Sequence, residues 1–301
     1  RRNGHPESSQ VFPFSLDIPN HSRAAQNNKN TNNMNKDPIV RKTTLQHMLL
    51  HDSKVDENTI LTYLFDTYAP IRDTTATYLR SRRSHLNIQT IMKYEPKTWI
   101  ERDGKIRAII AIANHTPLPP ISHTFEKLIE PSLRETSPSA RSKSLKLVSL
   151  YSKDPRSSLH IFQQTLISLR NDASDAELQG KLQCLTLTLP NDTSTCEKKL
   201  VEYLHHDAST VRQAASSLCA KIVTQHKSLN ILESFPHHTS RWQAREGYLL
   251  SLDATFRSLL EDHHRKHSSS VLSIFLTSKS KESLRSILLY TFRRCSMAIS
   301  D

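Results

Sequence analysis

The chain has 301 residues, with 41 Lys and Arg against 29 Asp and Glu, a formal charge of +12 and a pI near 9.6. Such a surface favours anionic partners: nucleic acid, an acidic protein face or lipid headgroups. Aromatics at 6% and only 4 Gly suit stacked helices filled by Leu, Ile, Val and Ala better than a β-sandwich, and no apolar run approaches the ~20 residues that span a bilayer.

Residues 1 to 36 are expected to be disordered, since Asn20 to Asn35 is too polar to offset chain entropy. Order begins at Asp37-Pro38, and residues 37–301 read as one helical domain. Helices are predicted over Val40–Leu49, Ile60–Leu64 and, after Ala69-Pro70, Ile71–Leu79. Arg80-Ser81-Arg82-Arg83 follows, then a short helix at Ile88 and Ile91. Pro96 opens a helix carrying Trp99, and Pro117-Leu118-Pro119-Pro120 ends it. Further helices are expected over Phe125–Leu133, Leu145–Tyr151, Leu159–Leu169, Leu182–Leu189 and Leu200–Leu204. Leu185 to Leu189 alternates with Thr and also fits a short strand; its neighbours favour helix. Past a short Leu229–Phe235 segment and Pro236, the Trp242 helix is predicted to reach Arg265, with two more around Val271–Leu276 and Leu284–Phe292. The first residue is Arg, and the chain is expected to be a piece of a longer protein.

Trp99-Ile100-Glu101-Arg102-Asp103-Gly104 returns as Trp242-Gln243-Ala244-Arg245-Glu246-Gly247, using both Trp of the chain and half its Gly. Such self-similarity marks a repeated architecture. A weaker mark, a small or aliphatic residue before Arg, recurs at Arg41, Arg72, Arg141, Arg212, Arg245 and Arg285. Arg102 fills one slot through the Trp motif, and Ala176-Glu177 is a degenerate one. The steps are 31, 30, 39, 36, 35, 33 and 40 residues by subtraction, the length of two helices and two turns.

Around Asp207–Cys219, Val211, Ala214, Ala215 and Leu218 share one helix face. Asp207 or Ser209 is placed to cap that helix. This unit resembles HEAT and armadillo repeats. The resemblance implies an all-α fold, an α-solenoid of stacked antiparallel helix pairs, with Arg212 tying one repeat to the next. Trp-x-x-Arg at a helix opening also resembles TOG-type HEAT domains, in which a Trp-bearing turn and basic turns contact acidic tubulin. On that likeness Trp99, Arg102 and Lys105 are the matched positions; the second motif follows after 242 − 99 = 143 residues, short for a full domain of that kind. Nuclear import receptors of this architecture are acidic, and this chain is not.

No Gly-rich phosphate loop, Gly-x-Ser-x-Gly or carboxylate cluster is present, so no enzyme activity, cofactor or small-molecule substrate is expected. The pairs His205-His206, His237-His238 and His263-His264, with His267, lack a supporting metal motif and read as helix ends. Cys184, Cys196, Cys219 and Cys295 form no C-x-x-C pair, and Cys184 and Cys219 read as core thiols of a reducing compartment, cytoplasmic or nuclear. The candidate partner-binding residues are Arg80, Arg82, Arg83, Lys97, Trp99, Arg102, Lys105, Trp242 and Arg245. The expected role is a scaffold or adaptor for another protein; the alternatives are RNA or ribosome binding and a TOG-like tubulin contact. Arg80, Arg82 and Arg83 are expected to lie near Lys97 and Arg102.

Overall fold

A computed structural model describes residues 36–51, 55–81, 87–226, 232 and 241–266, with backbone alone at 259–260 and 262–266. The readings for 1–35, Arg82, Arg83, His237, His238 and everything after Lys266 lie outside these residues. Among the described residues the fold is all-helical, with no strand.

The helices are α1 (Pro38–His51), α2 (Glu57–Leu64), α3 (Ala69–Arg80), α4 (Ile88–Lys93) and α5 (Trp99–Ile112). After the Pro-rich connection come α6 (Ile121–Thr124), a π turn (Phe125–Ile129) and α7 (Glu130–Leu133). The chain continues through α8 (Pro138–Tyr151), α9 (Pro155–Ser168), α10 (Asp175–Thr188), α11 (Ser194–Leu204), α12 (Ser209–His226) and α13 (Trp242–Lys266). Leu185–Thr188 is helical, as its neighbours indicate. The Trp99 helix starts three residues after Pro96, behind a capping box: Thr98 Oγ1 accepts the Glu101 N–H, and Glu101 accepts the Thr98 N–H in return. The π turn has a local cause. Pro131 has no N–H for the Lys127 carbonyl and its ring crowds that turn, so the helix widens there.

Helices α3, α5, α8, α10, α12 and α13 pack each on the next, forming one layer, and α2, α4, α7, α9 and α11 lie beside them. The layer is parallel. Arg72 at the start of α3 meets Asp103 at the start of α5, while beyond their far ends His115 Nε2 donates to the Arg80 carbonyl at 3.0 Å. At the other end of the molecule, Gln225 late in α12 reaches the Pro190 carbonyl just past α10. One core joins Leu64, Ile106, Ile109, Leu128, Leu147 and Val148, and a second joins Leu182, Leu185, Leu200, Val211, Leu218 and Tyr248. Three thiols, Cys184, Cys196 and Cys219, are buried and free, and burial pushes each up to about 12.

One contact recurs three times and brings the layer close against the helices beside it. Gly104, Gly180 and Gly247 each lie against the carbonyl of the last residue of an earlier helix: Leu64, Leu133 and Leu204. A Cβ at Gly180 would stand 2.9 Å from that oxygen, and at Gly104 and Gly247 nearer still. Only glycine permits such an approach. Eight residues after each of those leucines comes a buried arginine: Arg72, Arg141 or Arg212.

Candidate functional site

The turns that lead into the parallel layer lie along one edge, because the layer's helices all start there. Each buried arginine organises its turn in the same way. Arg72 Nη1 donates to the Asp66 and Thr67 carbonyls, Arg141 Nη1 to those of Glu135 and Thr136, and Arg212 Nη1 to those of His206 and Asp207. One further guanidinium nitrogen of each reaches the next helix of the layer, where the residue before the glycine accepts. Arg72 pairs with Asp103 at 2.9 Å, Arg212 with Glu246, and Arg141 donates to Gln179 at 3.3 Å. A guanidinium suits this task because its rigid fork serves several acceptors at once. The slot named for Arg in the sequence is the fourth residue of α1, α3, α5, α8, α12 and α13. In α10 the fourth residue is the buried Leu178, so the degenerate slot at Glu177 is displaced by one.

Trp99 and Trp242 stand at equivalent points of this apparatus. Each opens its helix, five residues before the glycine, and each ring covers the arginine below it: Arg72 Cζ is 5.9 Å from the Trp99 ring centre and Arg212 Cζ 5.1 Å from that of Trp242. A cation against the ring face is an attractive arrangement, strengthened by the burial of the arginine. The outer parts of both rings reach solvent, Trp99 being 39% exposed and Trp242 62%. Tyr68, at the turn before α3, is exposed on the same edge. The middle member of the series has Asp175 where the other two have Trp.

The remaining sequence candidates separate. Lys97 is exposed beside Trp99. Arg102 pairs with Glu135 and is only partly exposed. Arg245 is half-buried. Lys105 is withdrawn from the surface altogether. It is 1% exposed, its amine donates to the Met92 and Tyr94 carbonyls at the end of α4, and burial lowers it to about 8. Lys181, after Gly180, likewise donates to the Ser168 carbonyl at the end of α9. Arg80 does not join the Trp99 group. It ends α3 while Trp99 begins α5, and since the two helices run in the same direction it sits roughly 20 Å away, at ~1.5 Å per residue.

The edge is therefore mixed in charge. Beyond the Arg102–Glu135 pair, Arg134 is held by Glu130 and lies 3.4 Å from Glu177, and Asn171 donates to Glu202. His206 Nδ1 accepts the Ala208 N–H in its turn. No group of three or more His, Cys, Asp or Glu able to hold a metal occurs among the described residues, and no described helix is long and apolar enough to cross a membrane. Sequence reasoning placed Arg141 among the recurring Arg slots but missed Gln179 and Gly180, which complete a third copy of the apparatus. The signals were Gly-Lys, shared by 104–105 and 180–181, and the Leu-to-Arg interval of eight residues. Comparisons with protein-family models, curated proteins and solved structures found no match for this chain.

Proposed function

We propose that the chain is a helical-repeat scaffold of the HEAT or armadillo kind, an α-solenoid that binds another protein along its turn edge. The reading rests on one observation: two tryptophans, at equivalent points of the layer, are each held over a buried arginine with the outer ring exposed. A Trp held rigid by its own scaffold loses little freedom on binding, and Trp and Arg are among the residues most enriched where interfaces concentrate their energy. Parallel packing of the layer supports the stacked arrangement, as does an arginine reaching from one unit to the next. A partner face rich in carboxylates fits the flanking Lys97 and the chain's overall positive charge. Tubulin is one such acidic protein, in line with the TOG likeness of the Trp99 turn.

Site-specific photo-crosslinking in native extract tests the reading. A photoreactive residue placed at Trp99 or Trp242 is expected to capture the same protein. One placed at the exposed Leu159, on α9 in the other layer, should not capture it. Capture of one common set of proteins from all three positions would sink the proposal.

A further inference from the structure

The outward side of the parallel layer has a different chemistry from the turn edge. On α8, Ser142 and Lys146 are exposed one turn apart, and on α12 Gln213, Ser217 and Lys221 are exposed at i, i+4 and i+8. This spacing places each set on one side of its helix. Between them α10 carries the partly exposed Gln183. Since α8 packs on α10 and α10 on α12, the three stripes adjoin.

Neither α8 nor α12 contains a carboxylate, and those of α10 lie in its first turn, back at the edge. The one acidic side chain reaching this band from α3, Asp73, is held by Arg107 and lies 3.8 Å from Lys143. Lys146 and Lys221 take part in none of the ion pairs among the described residues. A single large apolar side chain, Leu187, is exposed on the three helices. A protein interface would need an apolar, aromatic-rich centre, and a single-stranded nucleic acid would need aromatic platforms for its bases. The band offers neither. What it offers is lysine charge with amide and hydroxyl donors between, the set that contacts phosphate and sugar without reading bases.

We infer that this band binds the phosphate and 2′-hydroxyl backbone of duplex RNA, independently of sequence. These two lysines, outside every ion pair among the described residues, are two helix steps apart, roughly 20 Å at 8–10 Å per step. A-form RNA presents both phosphates and 2′-hydroxyls across its shallow groove, where shape and backbone rather than base edges are recognised. The site is separate from the tryptophans and does not depend on the protein-binding reading.

Fluorescence anisotropy with a labelled 20-base-pair RNA duplex, over a range of salt concentrations, tests the inference. The double variant Lys146→Glu/Lys221→Glu is expected to weaken binding at least tenfold. Its log–log salt slope should be shallower by roughly 1.4–1.8, at 0.7–0.9 per lost phosphate contact. Lys198→Glu, an exposed lysine on α11 in the other layer, should change affinity less than twofold, as should Trp99→Ala/Trp242→Ala. An unchanged melting temperature in the double variant separates lost binding from lost folding. The inference is overturned if Lys198→Glu weakens binding as much as the double variant. It is equally overturned if a DNA duplex of the same sequence binds as tightly, or if polyglutamate of matched charge displaces the RNA.

Discussion

The turn edge and the outward side of the parallel layer carry similar residue types with opposite consequences. On the edge, Arg72, Arg102, Arg134 and Arg212 are all engaged by carboxylates of the chain itself. On the outward side, Lys146 and Lys221 stand on helices without any carboxylate. A tally of basic residues along the sequence cannot tell these apart, because what matters is the partner across the helix interface. Cations on the edge tie helices together; Lys146 and Lys221 on the outward side enter no ion pair among the described residues.

Breaking the edge should have the largest effect. Gly104→Ala and Gly247→Ala are each expected to cost roughly 3 kcal/mol or more, since a Cβ there overlaps the Leu64 or Leu204 carbonyl. In an open helix the same change would stabilise by ~0.5–1 kcal/mol, so the sign alone decides. Gly180→Ala should fall lower, roughly 1 kcal/mol, because one of its two close neighbours is the flexible Arg141 side chain. Urea unfolding of the three variants measures this order.

Next comes Arg212→Met. It leaves the His206 and Asp207 carbonyls without their donor, together with Glu246. A loss of roughly 2–3 kcal/mol is expected, since several acceptors held by one buried guanidinium lose their donor together. Arg102→Met removes a partly exposed pair with Glu135 and should cost about 1 kcal/mol. Equal losses in the two variants would erase the distinction between a fully buried arginine and a partly exposed one.

Much of this frame was legible in the letters. The Arg slots fall on the fourth residue of α1 and of five helices of the layer, and the Trp motifs open two of these. The third copy escaped notice because its identities changed while its geometry stayed: Asp175 replaces Trp, and Gln179 accepts from Arg141 where Asp103 and Glu246 accept from Arg72 and Arg212. Lys105 misled for a physical reason. A lysine is ordinarily exposed, and only the preceding Gly104, by bringing the helix against Leu64, carries its stem inward to the end of α4. The expected cluster of Arg80 with Lys97 and Arg102 failed because proximity in sequence to a turn does not say which end of a parallel layer that turn occupies.

A last effect concerns Lys105 and pH. The unfolded chain keeps this proton to about 10.5, whereas the folded chain releases it near 8. Between those values the unfolded state binds more protons, so this group makes stability rise with pH across that window. Relative to Lys105→Met, the wild type is expected to gain stability from pH 8 to 10, by roughly 1–2 kcal/mol at most. Comparing the two proteins cancels the opposite trend from the three buried thiols. Parallel pH profiles would mean that Lys105 is solvated when folded.

The most direct test of the contrast between the two surfaces crosses both variants with both ligands. Trp99→Ala/Trp242→Ala and Lys146→Glu/Lys221→Glu are each assayed for duplex-RNA affinity. Each is also assayed for capture, through a photoreactive residue at Tyr68, of the protein crosslinked from the edge. The account predicts that the Trp pair loses capture and keeps RNA binding, while the Lys pair loses RNA binding and keeps capture. If either pair abolishes both with the fold intact, edge and outward side form one site and the division drawn between them is wrong.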